Sequence, residues 1–134
     1  MKLTSRYHFS ASHRLDTPAL SPEENQKLYG KCNNPHGHGH DYVLEITVDA
    51  PVDQDGQVVN REALDGLVQE RVLARLDHKN LNADIPELAG AVTTTENLAT
   101  LVRAQLAGGW TLPARLAKVR ISETARNTFE LEVS

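Results

Sequence analysis

The sequence contains a single cysteine, Cys32, and no long run of apolar residues. One cysteine cannot form an internal disulfide, so a fold held together by disulfides within the chain is excluded. No apolar stretch approaches the ~18 residues that a membrane-spanning helix requires, which argues against an integral membrane protein. The first residues also lack the apolar core of a secretory signal. We therefore expect a cytoplasmic protein in a reducing environment.

The chain has no excess of positive charge. It carries 14 Lys and Arg against 18 Asp and Glu, which gives a formal net charge of −4. Such a chain has no overall attraction to a phosphate backbone or an anionic lipid surface, so nucleic-acid and membrane partners are not expected. A local basic pocket for a small anionic molecule remains compatible with this balance.

Internal repeats, low-complexity tracts and linkers are also missing from the 134 residues. A chain of this length buries roughly 65–70 % of the surface that its unfolded form exposes, which is enough for a substantial core. The sequence therefore predicts a single domain over residues 1–134.

Alternating apolar and polar residues predict four strands. The first covers 3–15 and the second 41–48. The last two form a hairpin, with Val119 and Ile121 in one strand, Phe129 and Leu131 in the other, and a tight turn at 125–127.

Capping residues predict three helices between these strands. Ser21, with Glu24 three residues later, begins a short helix on an excursion between the first two strands. Asn60 precedes a helix with an apolar stripe, and Thr93 with Glu96 forms a capping box for a second amphipathic helix. The two amphipathic helices should cover one face of the sheet, which makes the fold α+β.

Six histidines are the main compositional feature, and three of them lie within five residues, at positions 36, 38 and 40. Side chains two residues apart in an extended chain point to the same face, so His38 and His40 can meet one ion. His13 projects from the apolar side of the first strand and could converge with them. Three neutral imidazoles suit zinc and leave a fourth position open, as in catalytic sites.

Two alternatives stay open at this segment. The interpretation without a metal site is a glycine-histidine loop exposed to solvent. In addition, the same parity is shared by His36, His38 and His40, so alternation alone does not decide which two of them bind the metal. We favour His38 and His40 because they lie closest to the regular strand.

Three further positions are candidates for chemistry. Cys32 could be a small buried residue, a fourth zinc ligand or a reactive thiol, and a nearby metal or histidine can lower a thiol pKa enough to make it a base. Asp77 and His78 directly follow a predicted helix, where a carboxylate can orient the imidazole, although most such pairs are surface residues. Glu123 has the parity of buried neighbours, so it is either solvated beyond the strand or a carboxylate that accepts paired N–H donors from a flat heterocycle.

Taken together, these residues resemble the 6-pyruvoyltetrahydropterin synthase family. The resemblance rests on six segments in the same order and spacing, which are 9–15, 30–35, 37–42, 76–81, 94–97 and 123–124. It implies a tunnelling fold, in which a four-stranded antiparallel sheet carries two helices on one face and a trimer closes a twelve-stranded barrel. Such trimers often stack as hexamers, and the active sites lie between subunits.

The resemblance also implies roles for individual residues. His13, His38 and His40 match the zinc ligands, and Cys32 matches the general base. Asp77 and His78 match the pair that activates the cysteine from a neighbouring subunit. Glu123 matches the pterin anchor, with Thr94 and Thr95 nearby in the pocket.

The implied reaction is the conversion of 7,8-dihydroneopterin triphosphate to 6-pyruvoyltetrahydropterin with loss of triphosphate, in which magnesium assists with the triphosphate. As a hypothesis, Arg14, Lys31 and Lys79 could bind the triphosphate. Two other interpretations remain. The spacing of Cys32, His36 and His38 also fits the 6-carboxytetrahydropterin synthases of queuosine biosynthesis, which use the same substrate. A zinc-dependent pterin-binding protein without turnover is the alternative from another class.

Overall fold

The computed structural model describes residues 1–33 and 38–133, which include a five-stranded mixed sheet. The strands are β1 (Lys2–His13), β2 (His38–Asp49), β3 (Lys79–Asn80), β4 (Arg115–Ser122) and β5 (Thr128–Glu132). Their order in the sheet is β3-β1-β2-β4-β5, and all neighbouring pairs are antiparallel except β3 and β1, which are parallel.

The prediction of a four-stranded sheet is therefore wrong by one strand. The four antiparallel strands are present, but β3 adds two residues beside Ala11 and Ser12 of β1. The amides of His78 and Leu81 donate to the carbonyls of Ser10 and Ser12, at 2.6 and 2.8 Å. A strand of two residues is too short to produce a detectable alternation of apolar and polar residues, so the sequence pattern could not reveal it.

Pairing with β1 extends β2 further toward the histidine segment than the alternation predicts. The predicted strand begins at 41, whereas the observed one begins at His38. The register places His38 opposite His13 and His40 opposite Ala11. The long first strand thus supplies main-chain hydrogen bonds that hold both histidines in a regular strand.

The helices are α1 (Pro22–Tyr29), α2 (Arg61–Val68), α3 (Ala74–Leu76) and α4 (Thr95–Gly108). A π-helical turn, Gln69–Leu73, joins α2 to α3, and 3₁₀ turns cover Gly30–Asn33 and Pro86–Leu88. The capping box at Ser21 is confirmed, since its hydroxyl accepts from the amide of Glu24 while its own amide donates to the Glu24 carboxylate. Asn60 caps α2 through its side chain, also as predicted.

The predicted capping box at Thr93 is wrong by one residue. The Thr94 hydroxyl caps α4 by accepting from the Asn97 amide at 3.3 Å. Thr93 is buried instead, and its hydroxyl donates to the Arg14 carbonyl at 3.3 Å. Two adjacent threonines can each cap a helix, and here the contact between Thr93 and the end of β1 determines which one does.

The core lies between one face of the sheet and the two amphipathic helices. Alternate β2 side chains from Tyr42 to Val48 are fully buried and meet Leu64 of α2 and Leu106 of α4. The opposite face is polar, and Glu45 pairs there with Arg6 and Arg120 at 3.0 and 3.2 Å. Among the described residues, no helix combines the length and the apolar character needed to cross a bilayer.

Candidate functional site

Four potential metal ligands converge at the end of the sheet where β2 begins. The ligand atoms of His13, Cys32, His40 and Glu123 all lie within 4.8 Å of one another. His13 ends β1, Cys32 lies in the 3₁₀ turn before β2, His40 lies near the start of β2, and Glu123 directly follows β4. Residues that are distant in sequence therefore meet because the sheet places these strand ends side by side.

The His13 ring is held in a single tautomer. His13 is fully buried, and its Nδ1 atom lies 2.8 Å from the Thr93 carbonyl oxygen. A carbonyl can only accept, so Nδ1 carries the hydrogen and Nε2 is left with a free lone pair. This Nε2 atom lies 3.0 Å from Nε2 of His40. The arrangement is that of an oriented metal ligand. The backbone carbonyl of Thr93 was not identified from the sequence, because a main-chain acceptor has no side-chain signature.

His38 lies beside this group, although it is not one of its four members. Its ring centroid is 4.6 Å from that of His40, with the two rings nearly perpendicular. Of the expected ligands His13, His38 and His40, the first and third thus have their ring nitrogens in direct proximity, and the second is adjacent. His36 lies outside the described residues.

Glu123 lies on the inner side of the sheet and contacts the histidines. Its Oε1 atom is 2.8 Å from Nε2 of His40 and 3.8 Å from Nε2 of His13. Its Oε2 atom accepts a hydrogen bond of 3.0 Å from the buried Thr95 hydroxyl. Its side chain is only 14 % exposed, so of the two interpretations of Glu123, the structure favours the partnered carboxylate over the solvated one. Thr94 is engaged in the α4 cap and not with Glu123.

Burial has the largest effect on the pKa values of His13, His40 and Cys32. It lowers the pKa of His13 and of His40, although the Glu123 carboxylate opposes this effect at both rings. Burial also raises the pKa of the Cys32 thiol, and the nearby Glu123 charge raises it further. The imidazoles are therefore uncharged at neutral pH and available as ligands. The lowered thiol pKa considered for Cys32 is not found here, because burial and, after it, the negative charge of Glu123 both disfavour the thiolate.

Asp77 and His78 form a separate pair against β1. Asp77 accepts from the Ser10 amide through Oδ1 at 2.9 Å, and its Oδ2 lies 3.6 Å from Nε2 of His78. The His78 side chain is 82 % exposed, and its backbone has a positive φ of 60°. In the described part of the chain, no hydrogen bond or ion pair joins Cys32 to either residue. A non-glycine residue at positive φ is uncommon, and here the hydrogen bond from the His78 amide to the Ser10 carbonyl holds it in place.

The three basic candidates divide between two cavities. Arg14 and Lys31 line a cavity of about 860 Å³ together with His38. Lys79 lies with His40 and His78 along another cavity, of about 470 Å³. The first cavity is therefore lined by basic residues and lies next to the histidine cluster. The second cavity extends from the exposed His78 to His40 of the cluster.

Tyr42 belongs to the same region but was not identified from the sequence, where it reads as an ordinary core residue of β2. It is fully buried, with its ring stacked on Phe9 at 5.0 Å between centroids and 5.6 Å from the His40 ring centroid. Its hydroxyl has no hydrogen-bond partner among residues 1–33 and 38–133. Burial raises its pKa well above the ordinary range, and the Glu123 and Cys32 charges act in the same direction. The phenol is therefore neutral.

The donor set of this site fits zinc. Two imidazole nitrogens, a thiol sulfur and a carboxylate oxygen are the atoms that Zn²⁺ binds in proteins, and a carbonyl behind His13 supplies the outer-shell support common at such sites. Two of the distances are those of ligands around one ion, 3.0 Å between Nε2 of His13 and of His40 and 3.7 Å between Cys32 Sγ and Nε2 of His40, since ligand atoms about 2.0–2.3 Å from a tetrahedral metal lie roughly 3–4 Å apart.

The fold and the site together are those of an α+β protein with a candidate metal centre at one end of its sheet. The sequence model of the family described as 6-pyruvoyl tetrahydropterin synthase matches residues 2–133. The chain belongs to this family, and its fold is the tunnelling fold.

Individual relatives agree with this assignment. The chain is 48 % identical over 126 residues to the 6-pyruvoyl tetrahydrobiopterin synthase of Dictyostelium discoideum, covering 93 % of this chain and 90 % of the relative. It is 45 % identical over 128 residues to the human protein of that name, covering 94 % and 87 %. Among solved structures, the Caenorhabditis elegans 6-pyruvoyl tetrahydropterin synthase superimposes with a TM-score of 0.91 at 36 % identity, covering 100 % of this chain and 96 % of that one.

Proposed function

We propose that this protein converts 7,8-dihydroneopterin triphosphate to 6-pyruvoyltetrahydropterin with loss of triphosphate, in a zinc-dependent reaction. The observation that carries the proposal is the convergence of His13, Cys32, His40 and Glu123 within 4.8 Å in a chain of this family. This group combines metal ligands, a potential base and a carboxylate that can bind a heterocycle.

His13 and His40, with His38 completing the set, would hold the zinc. When bound, the metal would polarise the side-chain hydroxyls of the substrate and acidify the adjacent C–H bonds. The adjacent cavity of about 860 Å³ would receive the triphosphate against Arg14 and Lys31, with magnesium assisting. Lys79 would contribute only from another cavity, because it lines the space next to His78.

Glu123 would bind the N–H groups of the pterin ring and so place the reacting carbons opposite the base. The Thr95 hydroxyl fixes one oxygen of this carboxylate, which limits its rotation. Thr94 would contribute at the edge of the pocket, through its place at the start of α4. Removal of a proton from carbon requires such alignment.

Cys32 would act as the general base, assisted by Asp77 and His78 of a neighbouring subunit. The 82 % exposure of the His78 side chain supports a contribution in trans, since an exposed ring can contact another subunit. Residues 2–9 of β1 and all of β5 pair on one side only within the described residues. Such edges favour assembly, and a trimer that closes a twelve-stranded barrel, alone or as a hexamer, would cover them.

Mass spectrometry of the product tests the function. Purified protein loaded with zinc should convert 7,8-dihydroneopterin triphosphate to 6-pyruvoyltetrahydropterin and free triphosphate. A 6-carboxy product with acetaldehyde would replace this proposal with the activity that the spacing of Cys32, His36 and His38 also fits. Binding without any product would instead indicate a non-catalytic pterin-binding protein.

A further inference from the structure

In the proposed site Glu123 binds the pterin and is not a metal ligand, so its contact with His40 changes when the histidines bind a metal. Glu123 Oε1 lies 2.8 Å from Nε2 of His40, the distance of a hydrogen bond from an Nε2–H group to the carboxylate. A ligating nitrogen directs its lone pair at the metal and has no hydrogen to donate. Metal binding through Nε2 therefore leaves Oε1 of Glu123 without its donor, while Oε2 keeps the Thr95 hydroxyl.

A buried donor without a partner lies next to this carboxylate. β2 and β4 are antiparallel and place Val43 opposite Ser122, so the next residues, Tyr42 and Glu123, adjoin on the inner face. The Tyr42 hydroxyl is buried and has no partner in the described ranges. Phe9 stacks on one face of the ring and His40 lies near its edge, so the ring has little freedom to reach another acceptor.

A buried hydroxyl without a partner is unfavourable, and a phenylalanine would fill the same space at no such cost. This hydroxyl has no acceptor among the described residues, and metal binding at the proposed site leaves Glu123 without one of its donors. One hydrogen bond between the two groups resolves both deficits.

We propose that Tyr42 is a positioning residue, whose hydroxyl donates to the Glu123 carboxylate once the histidines hold zinc. Thr95 and Tyr42 then fix the two oxygens of Glu123, which holds the carboxylate in the orientation in which it binds the pterin. The inference rests on the proposed function, because it assigns zinc to the histidines and the heterocycle to Glu123.

Zinc affinity, measured by competition with a chromophoric chelator, tests the proposal on purified full-length protein. Tyr42→Phe should bind zinc about tenfold more weakly than the wild type, because a hydrogen bond to a charged group forms only in the zinc-bound state. The metal-free variant should melt at the wild-type temperature or above it. In a Glu123→Ala background, Tyr42→Phe should no longer change the zinc affinity.

Tyr7→Phe is the matched control. The Tyr7 hydroxyl donates to Asp65 at 2.7 Å, away from the cluster, so this variant should melt at a lower temperature in the metal-free form and keep wild-type zinc affinity. Three results would overturn the role of Tyr42: unchanged zinc affinity in Tyr42→Phe, an effect that persists without Glu123, or a metal-free melting loss like that of Tyr7→Phe. A wild-type protein that binds no zinc would instead overturn the proposed zinc-dependent function, and this inference with it.

Discussion

The Nε2 atoms of His13 and His40 lie 3.0 Å apart, although the two residues are on different strands and 27 positions apart in sequence. The Thr93 carbonyl fixes the hydrogen of His13 on Nδ1, so one of the two facing nitrogens presents a lone pair. Two imidazoles held this close, at the buried end of a sheet, form the rigid part of the candidate metal centre. Cys32 and Glu123 then determine what the centre does.

Removal of either facing imidazole should abolish stoichiometric zinc binding. We expect His13→Ala and His40→Ala each to retain well below one zinc per chain after dialysis, because a two-residue remainder holds the ion weakly. Metal content per chain, measured by inductively coupled plasma mass spectrometry, checks this. His8→Ala is the control, since His8 is exposed on the same strand as His13 and outside the cluster. Wild-type zinc content in His13→Ala would show that the ion is bound elsewhere.

Replacement of the cysteine distinguishes an open metal site from a closed one. Cys32 Sγ lies 3.7 Å from Nε2 of His40, close enough either to ligate the same ion or to act as a base beside it. In the proposed site, Cys32→Ala loses turnover and keeps both zinc and pterin binding. If Cys32→Ala instead loses zinc together with turnover, the thiol is a structural ligand and the site has no open position for substrate.

Much of this site could be predicted from the sequence, and there are physical reasons why the rest could not. The parity of His38 and His40 and the inward direction of Glu123 follow from the two-residue period of a strand. The proximity of Glu123 to the histidines does not, because it depends on which strands are neighbours. Tyr42 shows the same limit, since a buried tyrosine in an apolar strand is indistinguishable from a core residue until its hydroxyl is found without a partner.

The fold shows a similar division. The four long strands and the caps at Ser21 and Asn60 have local signatures and were predictable. The short strand β3 has none, because it exists only through main-chain bonds to Ser10 and Ser12. The choice of Thr94 over Thr93 as the helix cap likewise depends on a contact with a residue nearly eighty positions away.

The two threonines at the start of α4, Thr94 and Thr95, should have separable effects. Thr94→Ala removes the hydroxyl that caps the helix and should lower the free energy of unfolding by about 1 kcal/mol. Thr95→Val keeps the shape of a buried residue but removes the donor to Glu123, and should weaken pterin binding by about tenfold. Urea denaturation and titration with a fluorescent pterin measure the two quantities. Equal pterin affinity in Thr95→Val and the wild type would contradict the proposed role of Glu123 as the ring anchor.

Acid should destabilise the metal-free protein at a pH set by its buried histidines. Burial lowers the folded-state pKa of His13 and His40 below the ordinary value of 6.5. The unfolded chain therefore binds these protons at a higher pH than the folded one, so stability is complete above pH 6.5 and falls as the pH decreases below it. Asp49 and Glu24, whose carboxyl pKa values are also lowered, act only at more acidic pH.

Thermal denaturation of the metal-free protein between pH 7.5 and 5 measures this effect, and the melting temperature should decrease across that range. The melting temperature of His8→Ala should decrease in parallel with that of the wild type, since the exposed His8 ring is not part of the cluster. A melting temperature that stays constant down to pH 5 would show that the two rings are not buried in their neutral form.

Mixed assemblies test whether the active site is shared between subunits. Cys32→Ala and His78→Ala should each be inactive alone, because one lacks the proposed base and the other lacks the group that assists it. When the two variants are co-expressed with different affinity tags and purified through both, a fraction of the activity should return, since some sites then combine an intact Cys32 with an intact His78. This outcome follows from the exposure of His78 and from the absence, among the described residues, of any hydrogen bond or ion pair that joins it to Cys32 in its own chain. Mixed assemblies that stay inactive would place both residues in the same subunit's site.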